Sequence, residues 1–526
     1  MLKNLTRREF IKTAAMGFFA ATAYGVLPET GFAAGDCRVK TRYGTFNGFV
    51  DQNGVKTWLG IPYAKPPVEK LRWQLPQPLK PSNQSFDAKE FGASAIQEDD
   101  ALEKASQNRQ SEDCLTLNIW KHSEKKNLPV MVFVHGGSFM HGGTSDPTYS
   151  GTNIAKAHDV IVVTFNYRLN IFGFVNFGLI DPAFEDSGHL GMSDQIAAIR
   201  WVKENIAEFG GNPDNITVFG ESAGSISTFL LTITPAARGL FQKAIPESGP
   251  TRFVQDSQHA ALLLEDFLQL SGTRKMSDLM QKSSAELRDI YVKLFEMRRD
   301  TAHSDYLPAC DGKFWPADPF TALRNGAARG IKFMTGTTAD EWGYWQLYDE
   351  NYFADFHETH EKISPVMKRY KEHTGRTDRE LYREWLQNRP DTPANYREFI
   401  NQMDWRVGQE LDAENQSKYE DVYYYLFSET TERKELGSFH GLELGFVFGA
   451  KPEESWLMPN QNLVRQIQAS WTAFAATGSP NNELIPHWEK YSAGSRNTME
   501  LNSKGWVCHK DLNTENLNKL RYIYES

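Results

Sequence analysis

Gly220-Glu221-Ser222-Ala223-Gly224 sets a serine among small residues in the order G-x-S-x-G, directly after the apolar run 216–219. That order is a nucleophile elbow: a strand enters a sharp turn and leaves it as a helix, so the Ser222 hydroxyl stands clear of the backbone. Glycine is required because a Cβ at so tight a turn would strike neighbouring main chain. A serine hydroxyl becomes an effective nucleophile only when a base takes its proton, and the base needs an acid to orient it. Chains built on this elbow carry the three in the order serine, acid, histidine, the last two each following a strand.

Six histidines lie downstream of the candidate acid: His357, His360, His373, His440, His487 and His509. Only His440 follows a dense strand-like run, Val422–Phe427, by one loop, and Gly441 succeeds it at once. The other five read as core or surface residues. The acid is expected after the apolar run 331–334, where Gly336-Thr337-Thr338-Ala339-Asp340-Glu341 offers adjacent carboxylates. Spacing alone does not choose between Asp340 and Glu341. The run 130–134 leads straight into His135-Gly136-Gly137-Ser138, with Gly142-Gly143 further on. Backbone N–H groups of Gly136 and Gly137, with that of Ala223, would make a three-donor hole for a developing oxyanion. His357-Glu358-Thr359-His360 looks like a metal-ligand cluster but lacks the H-E-x-x-H spacing. In its charged, helical surroundings it reads as a solvated helix face, and neither a metal nor another cofactor is expected.

The elements that must position these groups follow from patterning. Short, dense, β-branched runs at 130–134 and 160–165 read as buried parallel strands. Ile196, Ile199, Val202, Ile206 and Phe209 recur at helical spacing and mark a helix covering the sheet. Residues 37–64 alternate around Asn53-Gly54 as a hairpin, and 244–245, 331–334 and Val422–Phe427 supply further strands. The alternation predicts an α/β fold with a mostly parallel central sheet and flanking helices. Stretches 252–305 and 342–415 are helical in pattern and charged. They read as insertions shaping a pocket entrance within one domain, 34–526.

With 526 residues, 40% of them hydrophobic, the chain can bury a large core. A net charge of −10 argues against nucleic acid or an anionic membrane surface as partner. Thr6-Arg7-Arg8-Glu9-Phe10-Ile11-Lys12 is a twin-arginine signal, with cleavage expected after Gly31-Phe32-Ala33. The apolar stretch behind it is too short and mild for a stable membrane span. Removing residues 1–33 takes away four basic and two acidic side chains, so the mature chain is more acidic still. The expectation is a protein exported by the twin-arginine machinery to the periplasm or beyond. Cys37, Cys114, Cys310 and Cys508 allow two disulfides in three pairings, or four thiols.

Taken together, these residues resemble the type-B carboxylesterase and cholinesterase-like family across nearly the whole mature chain. Residues 209–224 are similar to its serine signature and Glu112-Asp113-Cys114-Leu115-Thr116-Leu117-Asn118 to its second signature. Gly60-Ile61-Pro62-Tyr63-Ala64, Asn166-Tyr167-Arg168 and the stretch from Trp471 to Pro480 fit as well. The resemblance implies an α/β-hydrolase fold and cofactor-free hydrolysis of small carboxylic esters. It implies Ser222 as nucleophile, Glu341 rather than Asp340 as acid, His440 as base in an H-G-x-E pattern with Glu443, and Ser248 as hydrogen-bonding support. Amide or carbamate hydrolysis on the same triad is the alternative, and a non-catalytic adhesion-type protein is a further one; retention of all three triad members favours the enzyme. The chain departs from the family in three places. Ala95-Ile96-Gln97 replaces the C-P-Q partner of Cys114, which removes the usual disulfide, and Trp342 replaces the glycine of D-E-G. No tryptophan stands between Ala95 and Cys114, which disfavours a choline substrate.

Overall fold

A computed structural model describes residues 37–98, 108–298, 305–347, 360–450 apart from 362, and 459–525. Residues 1–33, where an export signal is expected, together with His357, Tyr348 and Tyr352, lie outside them. Strands are numbered in chain order. Arg38–Thr41 (β1), Gly44–Asn47 (β2) and Ser85–Asp87 (β5) form a small sheet. Phe49–Val50 (β3) and Lys56–Pro62 (β4) are the hairpin around Asn53-Gly54, and Thr116–Lys121 (β6) lies beside β4. Leu128–Val134 (β7), Ile161–Phe165 (β8), Gly211–Glu221 (β9), Lys243–Glu247 (β10), Lys332–Thr338 (β11) and Val422–Phe427 (β12) follow, then Thr498–Leu501 (β13) and Val507–His509 (β14). Among the described residues, eleven strands make one sheet in the order β14-β13-β12-β11-β10-β9-β7-β8-β6-β4-β3. From β13 to β8 every pairing is parallel, and the antiparallel strands stand at the two ends.

The β-branched runs lack alternation because both faces of the sheet are covered. Val130, Val132 and Val134 of β7 join one apolar cluster with Ile196, Ile199 and Val202 of the helix Leu190–Asn205. Met131 and Phe133 point the other way, into a second cluster with Ile467, Trp471 and Phe474 of the helix Gln461–Thr477. Register follows: Phe133 pairs with Phe219, and their rings meet at 4.9 Å.

The two charged stretches are helical where described. The first holds Ser257–Ser271 and Ser284–Met297, the latter opened by a Ser283–Glu286 capping box. The second holds Pro365–Thr374, Asp378–Leu386, Pro393–Ile400 and Val407–Ser417, with a π-helical turn at Asn401–Arg406. A Thr377–Glu380 capping box starts the second of these helices, satisfying donors that a bare helix end leaves open. No disulfide joins the four cysteines; Cys114 is a buried thiol in the same cluster as Ala95.

Candidate active site

β9 ends at Glu221 and the helix Ala223–Ile233 begins one residue later, so Ser222 alone makes the turn. Its backbone sits at φ 59°, ψ −122°, a region costly for any side chain and typical of strain held at a reactive position. The close approach explains Gly224: a Cβ there would lie 2.0 Å from the Val134 carbonyl oxygen. The main-chain carbonyl of Glu247, at the end of β10, accepts the Ser222 N–H at 3.0 Å, which ties the elbow to the neighbouring strand. Ser222 is partly exposed between a buried Glu221 and a buried Ala223.

β11 ends at Thr338, and Glu341 opens the 3-10 turn Glu341–Leu347. Its Oε1 accepts the Thr338 N–H at 2.8 Å, while Oε2 lies 2.5 Å from His440 Nδ1. The His440 N–H donates to the Glu341 carbonyl at 3.2 Å, so ring and main chain are fixed to the same residue. Asp340 turns away, accepting the Ser438 N–H and facing Arg397 at 3.6 Å. The choice that spacing left open is thus made by geometry: Glu341, not Asp340, meets the imidazole. On the ring's other side, Nε2 lies 3.1 Å from Glu221 Oε1. Ser222 Oγ makes no hydrogen bond to the ring in this arrangement. Catalytic bonds are commonly loose before substrate binds.

The glycine-rich loop after β7 lies on the elbow. A Cβ on Gly136 would come within 3.1 Å of Ser222 Cβ, and Gly137 adopts φ 103°, a conformation that favours glycine. Gln97 clamps the far side of this loop, its Oε1 accepting from Gly142 N at 2.9 Å and its Nε2 donating to Gly142 O at 3.0 Å. His135 is stacked on Tyr167 at 4.4 Å, and burial pushes its ring down to about 4 against the opposing bond to the Gly136 carbonyl, so it stays neutral. Ala223 opens the helix, so its N–H is among the first-turn donors without a partner within the helix.

Two more buried carboxyls, Glu443 and Glu247, lie close to these groups. Burial, reinforced by Glu221, Glu341 and Glu247, holds Glu443 well above the usual carboxylate range. Burial raises Glu247 to about 8, against the opposing bond from Trp471 Nε1 at 2.5 Å. Ser248, expected as hydrogen-bonding support for the triad, donates its hydroxyl to Glu443 at 3.4 Å.

His360 requires a correction. It is no solvated helix face: the ring is fully buried, with Nδ1 3.0 Å from Asp378 and Nε2 2.7 Å from Asp404. Burial alone would discharge it, but Asp404 and Asp378 outweigh that and carry it up to about 10. Two residues at the imidazole are not evident from sequence: Glu221, and Trp405, whose ring centroid lies 4.5 Å from that of His440. Glu221 stood inside the G-x-S-x-G motif. Nothing local marked Trp405.

The loops carrying Gly136, Ser222, Glu341 and His440 all leave the carboxyl ends of parallel strands β7, β9, β11 and β12, where open α/β sheets place their ligands. This is the architecture of an α/β-hydrolase. A sequence profile of the carboxylesterase family matches residues 35–520, and the chain belongs to that family. It is a carboxylic-ester hydrolase. It is 38% identical to the para-nitrobenzyl esterase of Bacillus subtilis (strain 168), across 89% of this chain and 95% of that protein. It is 29% identical to the acetylcholinesterase of Danio rerio, across 91% of this chain and 87% of that one. The solved carboxylesterase EST55 of Geobacillus stearothermophilus superposes with a TM-score of 0.80 at 32% identity, covering 92% of this chain and all of that one.

Proposed function

We propose that this esterase works through an acyl-enzyme on a Ser222–His440–Glu341 triad. Ser222 Oγ attacks the acyl carbon while His440 Nε2, which faces Glu221 at rest, meets the hydroxyl and takes its proton. Glu341, on Nδ1, holds the tautomer that leaves Nε2 as acceptor and stabilises the imidazolium that forms. The carbonyl electrons move onto oxygen, and the oxyanion rests against the N–H groups of Gly136, Gly137 and Ala223. Collapse breaks the C–O bond, and the imidazolium protonates the departing alkoxide. Water, deprotonated by the same ring, then hydrolyses the acyl-serine. The observation that carries this reading is the 2.5 Å Glu341–His440 contact between two buried side chains, beside a strained serine at a strand–helix junction.

The test is hydrolysis of p-nitrophenyl esters from acetate to a long acyl chain by the wild type and by Ser222→Ala. A fall in kcat of about 10⁴ or more is expected. Near-wild-type turnover in a folded variant would refute the assignment. The substrates are small carboxylic esters in an exported compartment, a reading supported by Arg7-Arg8 and the small residues ending at Ala33. Replacing both arginines by lysine should strand a reporter fused behind residues 1–33 in the cytoplasm.

A further inference from the structure

The π-helical turn Asn401–Arg406 touches both the loop that carries the acid and the ring of the base of the proposed triad. Asn401 Oδ1 accepts the Trp342 backbone N–H at 2.9 Å, and Asp404 Oδ2 accepts Trp342 Nε1–H at 3.1 Å. Trp342 is the residue directly after Glu341, so both of these donors fasten the acid's own loop to the turn. The next residue along the turn, Trp405, lies against the His440 ring at 4.5 Å, and Trp345 of the acid loop stacks on that ring at 5.7 Å. Single π-turns within helices occur disproportionately at functional sites.

What holds the turn is a buried ionic chain. Asp404 Oδ2 is shared between Trp342 and His360 Nε2, while Oδ1 accepts the Ser364 hydroxyl at 2.5 Å. The other nitrogen of His360 meets Asp378, whose second oxygen accepts the Tyr396 hydroxyl at 2.7 Å. His360, Asp378 and Asp404 are all fully buried. Burying such a set costs several kcal/mol per ion, and apolar residues of equal volume are often as stable. A chain that ends on the acid loop gives this one a use beyond stability, because directional bonds fix position where apolar packing does not.

We propose that Asp404, held by the His360–Asp378 pair, is a positioning residue. It fixes Trp342, and so the Glu341 carboxylate, against one edge of His440, while the same turn sets Trp405 against the ring. The inference rests on the triad reading. Trp342 stands where the family's acid motif has glycine, so this tie belongs to the chain's own substitution.

The experiment uses the full-length protein, p-nitrophenyl acetate as probe, and Asp404→Asn and Trp342→Phe as variants. Active-site titration by the acyl-enzyme burst counts competent molecules. The downfield proton resonance of the Glu341–His440 bond reports its geometry. Per competent molecule, kcat should fall about tenfold to a hundredfold with KM changed little, and the downfield resonance should move or broaden. Wild-type kcat per competent site with an unmoved resonance, whatever the loss in Tm, would overturn the proposal. Trp342→Phe keeps an aromatic side chain while removing the indole N–H together with part of the ring, and because turnover is counted per competent molecule it decides the matter if Asp404→Asn does not fold. His440→Ala in the same assay separates the two levels: retained turnover there would sink the triad reading itself.

Discussion

Glu247 gives the sharpest stability prediction. It ends β10 inside the sheet, fully buried, with one oxygen on Trp471 Nε1 and the other, Oε2, without a partner. An orphaned carboxylate oxygen in that position favours the protonated form, and burial raises the group from 4.5 to about 8. Between those values the folded protein keeps a proton that the unfolded chain has already released. Raising pH through that window therefore favours unfolding, and the effect is complete only above about 8. At about 1.4 kcal/mol per pH unit the cost reaches roughly 3–5 kcal/mol across the window. Glu247→Gln keeps an acceptor for Trp471 and cannot ionise.

The variant should match the wild type near pH 4.5 and gain on it steadily up to pH 8, where the difference approaches that full amount. Urea unfolding of both proteins at several pH values measures it, since contributions from other titrating groups cancel in the difference. Infrared spectra supply an independent check: a protonated carboxyl band should fade with a midpoint near pH 8 in the wild type and be absent from the variant. Parallel stability curves for the two proteins would show that Glu247 is not held protonated, and the argument from its orphaned oxygen would fail.

Three other perturbations have defined outcomes. Gly137→Ala forces a side chain onto φ 103° and into a contact 2.2 Å from the His141 carbonyl oxygen. The protein should fold and bind, but kcat on a p-nitrophenyl ester should fall about 10²–10³ as the loop's donors shift. Asp194→Ala strands Arg168, which the carboxylate holds from Nε and Nη2 at 2.7 Å each in a fully buried pair, and should cost about 3–5 kcal/mol in denaturant unfolding. Gln97→Ala removes both bonds to Gly142 and should lower kcat more than it lowers Tm, as steady-state kinetics beside a thermal melt would reveal.

How legible the molecule is in its sequence depends on how local each signal is. β7, β8 and β12 can be read because burial on both faces demands unbroken apolar, β-branched or aromatic runs. The elbow and the glycine loop can be read because a tight turn constrains residues within five positions of one another. The acid is half legible: Asp340 and Glu341 are chemically alike, and only the course of the turn after β11 decides which meets His440. His360 fails altogether. Its neighbours are charged and helically spaced, as on a solvated face, and the carboxylates that bury it lie 18 and 44 residues further on. The π-turn that brings Asp404 and Trp405 to the site leaves no signature, since one widened helical turn requires no particular residue.

The carboxyls gathered around the imidazole divide into two kinds. Glu341 and Glu221 face its nitrogens, while Glu443 and Glu247 are near enough to feel their charge without a hydrogen bond to the ring. Four negative charges at such depth would repel one another and lack solvation. The second pair avoids this by staying protonated well above the normal range, with Ser248 and Trp471 donating to them. Their neutrality matters to the chemistry. When His440 accepts the serine proton, the carboxylates that face the imidazolium are then two rather than four, Glu341 at Nδ1 and Glu221 near Nε2. Further anions nearby would deepen the well in which the proton sits and slow its transfer. Burial of Glu247 and Glu443 in their neutral form thus limits the negative charge gathered near the triad.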